Sequence, residues 1–147
     1  MIKKENRLKK NKHFKYIYNK GTTRTLNCLS VCFAQTKIKP IKVGFSVSKK
    51  IGKSNVRNKI KRRLRESFCS LINNFNTSYN YVFVAKSGIE NMTYFEIKQN
   101  MIELIKKCDL YVKNKEDSCH NQNKYSISYQ YNLLFFELIN QMLSKWH

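Results

Sequence analysis

Apolar residues recur along the chain first with a helical period and then with a strand period. Phe14, Ile17 and Tyr18 fall at i, i+3 and i+4, which predicts a short helix over 12–20 with one apolar stripe, Asn11 as N-cap and Gly21 as a left-handed stop. Over 27–35, Leu29, Val31 and Phe33 alternate with Cys28, Ser30, Cys32 and Ala34. Over 41–48, Ile41, Val43, Phe45 and Val47 alternate with Lys42, Gly44, Ser46 and Ser48. Both segments read as strands, and this alternation sets Cys28 and Cys32 on the same side of the first. The link 36–40 suits an antiparallel hairpin, with Pro40 blocking continuation of the first strand. A weaker strand signal lies over 22–25.

The second helical segment, 54–73, carries two faces. With Ile60 at zero on a 100° wheel, Val56, Ile60, Leu64, Ser67, Phe68 and Leu71 occupy an arc from about −40° to about +80°, a face for burial. Arg57, Asn58, Lys61, Arg62 and Arg65 fall between about 60° and about 200°, a continuous basic flank broken only by Glu66. Like charges at i, i+4 repel by a few tenths of a kcal/mol per pair, so the flank implies a compensating anion, and the planar fork of arginine suits phosphate. The run over 81–86 is nearly continuous in apolar residues and reads as a strand covered on both faces, ended by Gly88. Thr93 caps a helix over 94–108 whose core face is Phe95, Ile97, Met101, Ile102, Leu104 and Ile105. Residues 113–124 are polar and read as a linker. Residues 132–146 are strongly apolar and read as a helix that docks back on the core or meets a partner. This order gives one α/β sandwich over 1–112, with helices on a small mixed sheet, followed by an extension over 113–147.

Charge changes the picture more than composition does. The 147 residues carry 29 Lys or Arg against 9 Asp or Glu, a net charge of +20, while 41% hydrophobic and 13% aromatic content exceeds that of a disordered basic tail. Residues 1–68 hold 21 basic and two acidic groups, and the remaining 79 hold 8 and 7. Lysine enrichment through A/T-rich codons would be uniform, so this asymmetry marks a polyanion-binding surface built by the first half. No secretory signal or membrane-length apolar run is evident, so a cytoplasmic location and no membrane partner are expected.

Catalytic constellations are lacking in the sequence. His13, His120 and His147 have no Ser or Cys and carboxylate at triad spacing, Gly44 and Gly52 are isolated rather than part of a phosphate loop, and residues 1–68 offer two carboxylates for a metal. The five cysteines, Cys28, Cys32, Cys69, Cys108 and Cys119, lack Cys-x-x-Cys spacing and read as reduced thiols. No catalytic residue and no metal ligand is therefore assigned to the protein, and any reaction it serves is carried out by another component.

The run Lys49-Lys50-Ile51-Gly52-Lys53-Ser54-Asn55-Val56-Arg57-Asn58-Lys59-Ile60-Lys61-Arg62-Arg63-Leu64-Arg65-Glu66, preceded by Val43-Gly44-Phe45-Ser46-Val47-Ser48, resembles the signature of the protein subunit of bacterial ribonuclease P. Asn6-Arg7-Leu8-Lys9-Lys10 with Phe14, Tyr18 and Gly21 resembles that family's opening, and 81–88 its last strand and exit turn. The resemblance covers about residues 4–110. It implies a subunit that assists a catalytic RNA in removing the 5′ leader of precursor tRNA, with Mg²⁺ held mainly by the RNA and substrate. It also implies an α-β-β-β-α-β-α sandwich with a left-handed β-α-β crossover, as in the second domain of a small-subunit ribosomal protein.

Carried over by position, Arg57, Asn58, Lys61, Arg62 and Arg65, with Lys49, Lys50 and Lys53, would bind the ribozyme RNA, and Phe14, Tyr18, Cys32, Ser46 and Ser48 would line a cleft for the leader. Cys32 stands where many relatives carry an aromatic residue, Asn55 replaces an aliphatic one, and Lys86-Ser87 replaces the more usual Arg-Pro. The alternatives are a structural RNA binder such as a ribosomal protein, which shares size and charge, and a basic membrane-surface protein using the apolar extension.

Overall fold

The computed structural model describes residues 2–113. Three helices, α1 (Asn11–Lys20), α2 (Ser54–Leu71) and α3 (Tyr94–Lys107), pack on a sheet of β1 (Thr22–Leu26), β2 (Leu29–Gln35), β3 (Val43–Val47) and β4 (Tyr79–Ala85). The sheet order is β1-β2-β4-β3. β1 pairs with β2 and β2 with β4 antiparallel, while β3 and β4 run parallel. The α+β sandwich and the mixed, mainly antiparallel sheet agree with the sequence reading, including the weak first strand. The expected linker and the apolar helix over 132–146 lie outside the described residues.

The hairpin expected across 36–40 does not form. β4 inserts between β2 and β3, aligning Val82 with Cys32 on one side and with Gly44 on the other. β2 pairs with β4 along its whole length, and Thr36 N–H extends the ladder one residue further by donating to the Ser78 carbonyl at 2.8 Å. β4 is the most apolar strand and has Tyr81, Val82, Phe83 and Ala85 buried. A strand of that composition gains most from the middle of a sheet covered on both faces. The hairpin that does form joins β1 to β2 through Asn27 and Cys28, with Asn27 at φ 50°, where asparagine is tolerated. That turn also breaks the expected alternation of the two thiols: Cys28 packs against the larger core and Cys32 belongs to the smaller one, across the sheet.

The larger core lies between the sheet and α2 with α3. Ile60, Leu64, Phe68 and Leu71 of α2 and Ile97, Met101, Leu104 and Ile105 of α3 close on Val31, Val43, Val47, Tyr81 and Phe83. Phe68 sits at the centre, 4.7 Å from the Phe75 ring and 6.2 Å from the Phe45 ring. The Tyr81 hydroxyl donates to the Asn76 carbonyl at 2.8 Å, and burial raises its pKa well above the usual phenol value. α3 begins with a capping box in which Thr93 Oγ1 accepts from Glu96 N–H at 3.3 Å and Thr93 N–H donates to the Glu96 carboxylate at 2.6 Å. Phe95, expected on the core face of α3, is 65% exposed. At 100° per residue it lies roughly 135° from the middle of the arc of Ile97, Met101, Leu104 and Ile105, so its apolar character rather than the helical period is what suggested burial.

The other face of the sheet carries α1. Ile17, Leu8, Cys32, Ala34 and Val82 form a second, smaller core, with Phe14 and Val84 packed against it. The helix starts from Lys10 without a side-chain cap, and Asn11 is its first residue rather than its cap. Gly21 is extended (φ −88°, ψ 167°), not left-handed. Its role is spatial: a Cβ there would stand 2.4 Å from the Ile17 carbonyl oxygen and 2.6 Å from that of Phe33, so only glycine lets α1 run directly into β1 against β2.

Candidate nucleic-acid interface

α1 crosses the sheet from edge toward edge. Leu8 N–H donates to the Val43 carbonyl at 2.9 Å on the β3 side, the Phe14 ring lies over Gly44, and the helix ends beside Phe33 on β2. A Cβ on Gly44 would fall 2.4 Å from Phe14 Cε1, so the absence of a side chain at Gly44 seats the ring. Because the helix lies across the strands, it leaves a groove on each side of itself.

The groove toward the C-terminal end of β3 is the cleft expected for single-stranded RNA. Its floor is a row across all four strands, Thr25, Ser30, Val84 and Ser46, beside a second row of Thr23, Cys32, Val82 and Gly44. Hydroxyls are paired within it: Thr25 Oγ1 and Ser30 Oγ lie 2.8 Å apart, and Thr23 Oγ1 and Cys32 Sγ 3.1 Å apart. Tyr18 forms one wall. It is 44% exposed, its hydroxyl hydrogen-bonds with Ser46, and Cys32 lies close by. Partial burial raises the pKa of this hydroxyl, the Ser46 hydrogen bond offsets part of that rise, and the Cys32 thiol adds to it, so the phenol stays neutral at ordinary pH and keeps its proton to donate.

Four of the five residues expected to line the cleft thus meet around α1: Phe14, Tyr18, Cys32 and Ser46. Ser48 stands apart at the strand exit, where its Oγ accepts from Lys50 N–H at 3.3 Å and caps the 3₁₀ turn Lys49–Ile51. Sequence reasoning missed Thr23, Thr25, Ser30, Val84 and Lys86. Lys86 Nζ reaches Thr25 Oγ1 at 3.4 Å and closes the far side of the groove. The signal for the hydroxyls was present as Thr23 and Thr25 two apart in β1 and Ser30 in β2, but only the strand pairing lines them up.

The basic flank lies on α2 and the turn before it. Gly52 links the 3₁₀ turn to α2 at φ 156°, ψ −171°, a backbone region that side-chain-bearing residues rarely adopt, and this sharp joint places Lys49, Lys50 and Lys53 at the start of the helix. All three are exposed, as are Asn58, Arg62 and Arg65, while Arg57 and Lys61 are half-buried. The first turn of α2 carries no acidic residue, so the positive end of the helix dipole adds to the lysines. Arg57 Nε is buried without a hydrogen-bond partner. Arg62 Nε pairs with Glu66 at 2.9 Å, an exposed i, i+4 pair worth about 0.3–0.5 kcal/mol and readily exchanged for a phosphate. Arg63 points the other way and donates through Nη1 to the Met92 carbonyl, tying α2 to the segment before α3.

Glu66 is the one carboxylate on the basic flank and is engaged by Arg62, while the cleft offers hydroxyls and a thiol. Among the described residues, no group of three His, Cys, Asp or Glu side chains is placed to hold a metal ion, and no helix is long and apolar enough to cross a membrane.

Fold and site together define a small α+β protein with one strongly cationic helix flank and an open, hydroxyl-floored cleft, the class of protein that accompanies an RNA. The chain belongs to the ribonuclease P protein family: the model of the family described as Ribonuclease P matches residues 2–109. It is similar to the ribonuclease P protein component of Caldanaerobacter subterraneus subsp. tengcongensis, 39% identical over 111 residues that cover 76% of this chain and 96% of that protein. It is likewise similar to that of Clostridium botulinum strain Langeland, 35% identical over 109 residues, covering 74% and 98%. Among solved structures, the Staphylococcus aureus RNase P protein superimposes with a TM-score of 0.68 at 31% identity, over 74% of this chain and all of that one. The Thermotoga maritima RNase P protein shares the fold, with a TM-score of 0.64 at 20% identity, covering 74% and 98%. The chain is thus a subunit of ribonuclease P, a tRNA-processing enzyme whose catalysis is carried by its RNA, and that RNA is its partner.

Proposed function

We propose that this protein acts in the cytoplasm by gripping the ribonuclease P RNA with the basic flank of α2 and the 5′ leader of precursor tRNA with the groove between α1 and the sheet. The observation that carries the reading is the division of labour in the geometry. Arg57, Asn58, Lys61, Arg62 and Arg65, with Lys49, Lys50 and Lys53, form a rigid cationic edge suited to folded RNA backbone. Tyr18, Ser46 and Cys32 with the Thr25–Ser30 pair form a slot where an unpaired strand can lay bases against an aromatic ring and sugars or phosphates against hydroxyls. Mg²⁺ is held by the RNA and substrate, and the chain contributes by lowering repulsion between the two RNAs at low salt.

The direct test is cleavage of a 5′-extended precursor tRNA by a bacterial ribonuclease P RNA at low Mg²⁺, with and without the protein. Stimulation, with no cleavage by the protein alone, is the expected result; tight RNA binding without stimulation would overturn it in favour of a structural RNA binder. A finer prediction concerns Tyr18. Stacking of a base on an aromatic ring contributes about 1–3 kcal/mol, so Tyr18→Ala should weaken holoenzyme binding of precursor tRNA by about tenfold and leave mature tRNA nearly unchanged. Equal loss for both substrates would make Tyr18 a folding residue.

A further inference from the structure

The groove on the opposite side of α1 plays no part in that reading. It is a cavity of about 580 Å³ at the other end of the sheet, within the range of roughly 300–1,000 Å³ typical of small-ligand sites. Its base is apolar, formed by Leu8 and Ala34 with Ile17 from α1. At its mouth stand two large side chains that the fold leaves in solvent, Tyr16 at 57% exposure and Ile38 at 69%. Lys37 and Lys42 line it as well, with His13, and none of the lining residues is acidic. Asn80 Oδ1 accepts from Lys42 N–H at 3.0 Å, which braces that wall and leaves the Asn80 amide donors available.

We propose that this second groove binds a nucleotide unit, its base inserted between Tyr16 and Ile38 over the apolar floor and its phosphate held by Lys37 and Lys42. An apolar slot with an exposed aromatic wall suits a flat ring, two lysines in a lining without acidic residues favour an anion beside it, and a nucleotide joins the two within one ligand of this size. The same unit occurs as an unstacked residue of an RNA strand or as a free nucleotide. The strongly basic first half of the chain favours the strand. The site is separated from the leader cleft by the full width of α1, and the proposal does not depend on leader binding.

Titration of the full-length, ¹⁵N-labelled protein with adenosine 5′-monophosphate and with a single-stranded adenosine pentaribonucleotide tests it. The amides of Thr36, Lys37 and Ile38 should shift with saturation, and Tyr16→Ala combined with Lys42→Gln should weaken that saturation by about tenfold or more. Tyr16 is exposed and the Lys42 side chain does not belong to either core, so the double variant should keep its spectrum elsewhere. Much tighter binding of the pentanucleotide assigns the groove to an RNA strand, and equal or tighter binding of the mononucleotide assigns it to a free nucleotide. Either result supports nucleotide recognition. The proposal is overturned if no shift appears at millimolar probe, if inorganic phosphate reproduces the shifts, or if Tyr18→Ala abolishes them as fully as the double variant does, which would place the probe in the other cleft.

Discussion

Replacing Arg57 and Arg62 together by alanine should weaken binding of the ribonuclease P RNA by about a hundredfold at physiological salt while leaving the fold intact. Charge-assisted hydrogen bonds contribute about 1.5–3 kcal/mol each, and at exposed positions the lower figure applies, so the loss of two corresponds to about that ratio. The two positions differ in what they give up. Arg57 Nε is buried without a partner, and its removal relieves the free protein of an unsatisfied group. Arg62 surrenders an exposed ion pair with Glu66 of small worth. The slope of log affinity against log salt should fall by about 1.5, because each phosphate contact contributes about 0.7–0.9. Arg63→Ala is the control: its contact with the Met92 carbonyl predicts reduced thermal stability with RNA affinity and salt slope nearly unchanged. Unaltered affinity of the double variant, measured by filter binding across a salt series, would remove α2 from the interface.

Gly21→Ala should dislodge α1 and lower Tm by roughly 10 °C, on the basis that overpacking costs about 1–3 kcal/mol or more and each kcal/mol shifts a domain of this size by about 4–8 °C. The Cβ would press on two carbonyl oxygens, Ile17 at 2.4 Å and Phe33 at 2.6 Å. Both are backbone atoms, so no side-chain rotation relieves the clash. The small core under α1 is the part that must yield, since among the described residues it contains five buried ones against twenty in the core under α2 and α3. Hydrogen exchange should therefore accelerate in α1 and remain slow in β4 and α2. Discrimination between precursor and mature tRNA should be lost with the Tyr18–Ser46 contact, while affinity for the ribozyme RNA through α2 is kept. Unchanged Tm and unchanged α1 exchange would show that the helix end and β2 can part freely.

The two variants separate the parts of the site that are local from those that are assembled. The basic flank is local: Arg57, Lys61 and Arg65 recur every four residues on one helix, and a wheel drawn on the sequence already sets them beside one another. The capping box of α3 is local for the same reason, with Thr93 and Glu96 three residues apart. The cleft proposed for the leader is assembled. Its floor row of Thr25, Ser30, Val84 and Ser46 joins four strands that are up to fifty-nine residues apart, and its Tyr18 wall comes from a helix laid across them.

The errors have the same origin. Alternation marked 27–35 and 41–48 as strands, yet short connection suggested that they pair, whereas β4 takes the place between them. Gly21 read as a turn residue because glycine commonly serves φ, and the structure uses it for closeness instead. Phe95 read as core because it is apolar, but the helical turn sets it away from the face that Ile97, Met101, Leu104 and Ile105 bury.

By itself, the sequence determined the seven main elements, the buried arc of α2, the cationic edge beside it and, through the run 43–66, the family. These depend on periods of two and 3.6 residues and on side chains close in the chain, which local stereochemistry sets before any tertiary contact forms. Only the tertiary structure decided the strand order, the crossing of α1 that divides one sheet face into two grooves, and the alignment of hydroxyls within one of them. Periodicity tells which face of an element is buried but not against what. That choice is made by the burial available to the whole chain, which here is greatest with the most apolar strand at the centre.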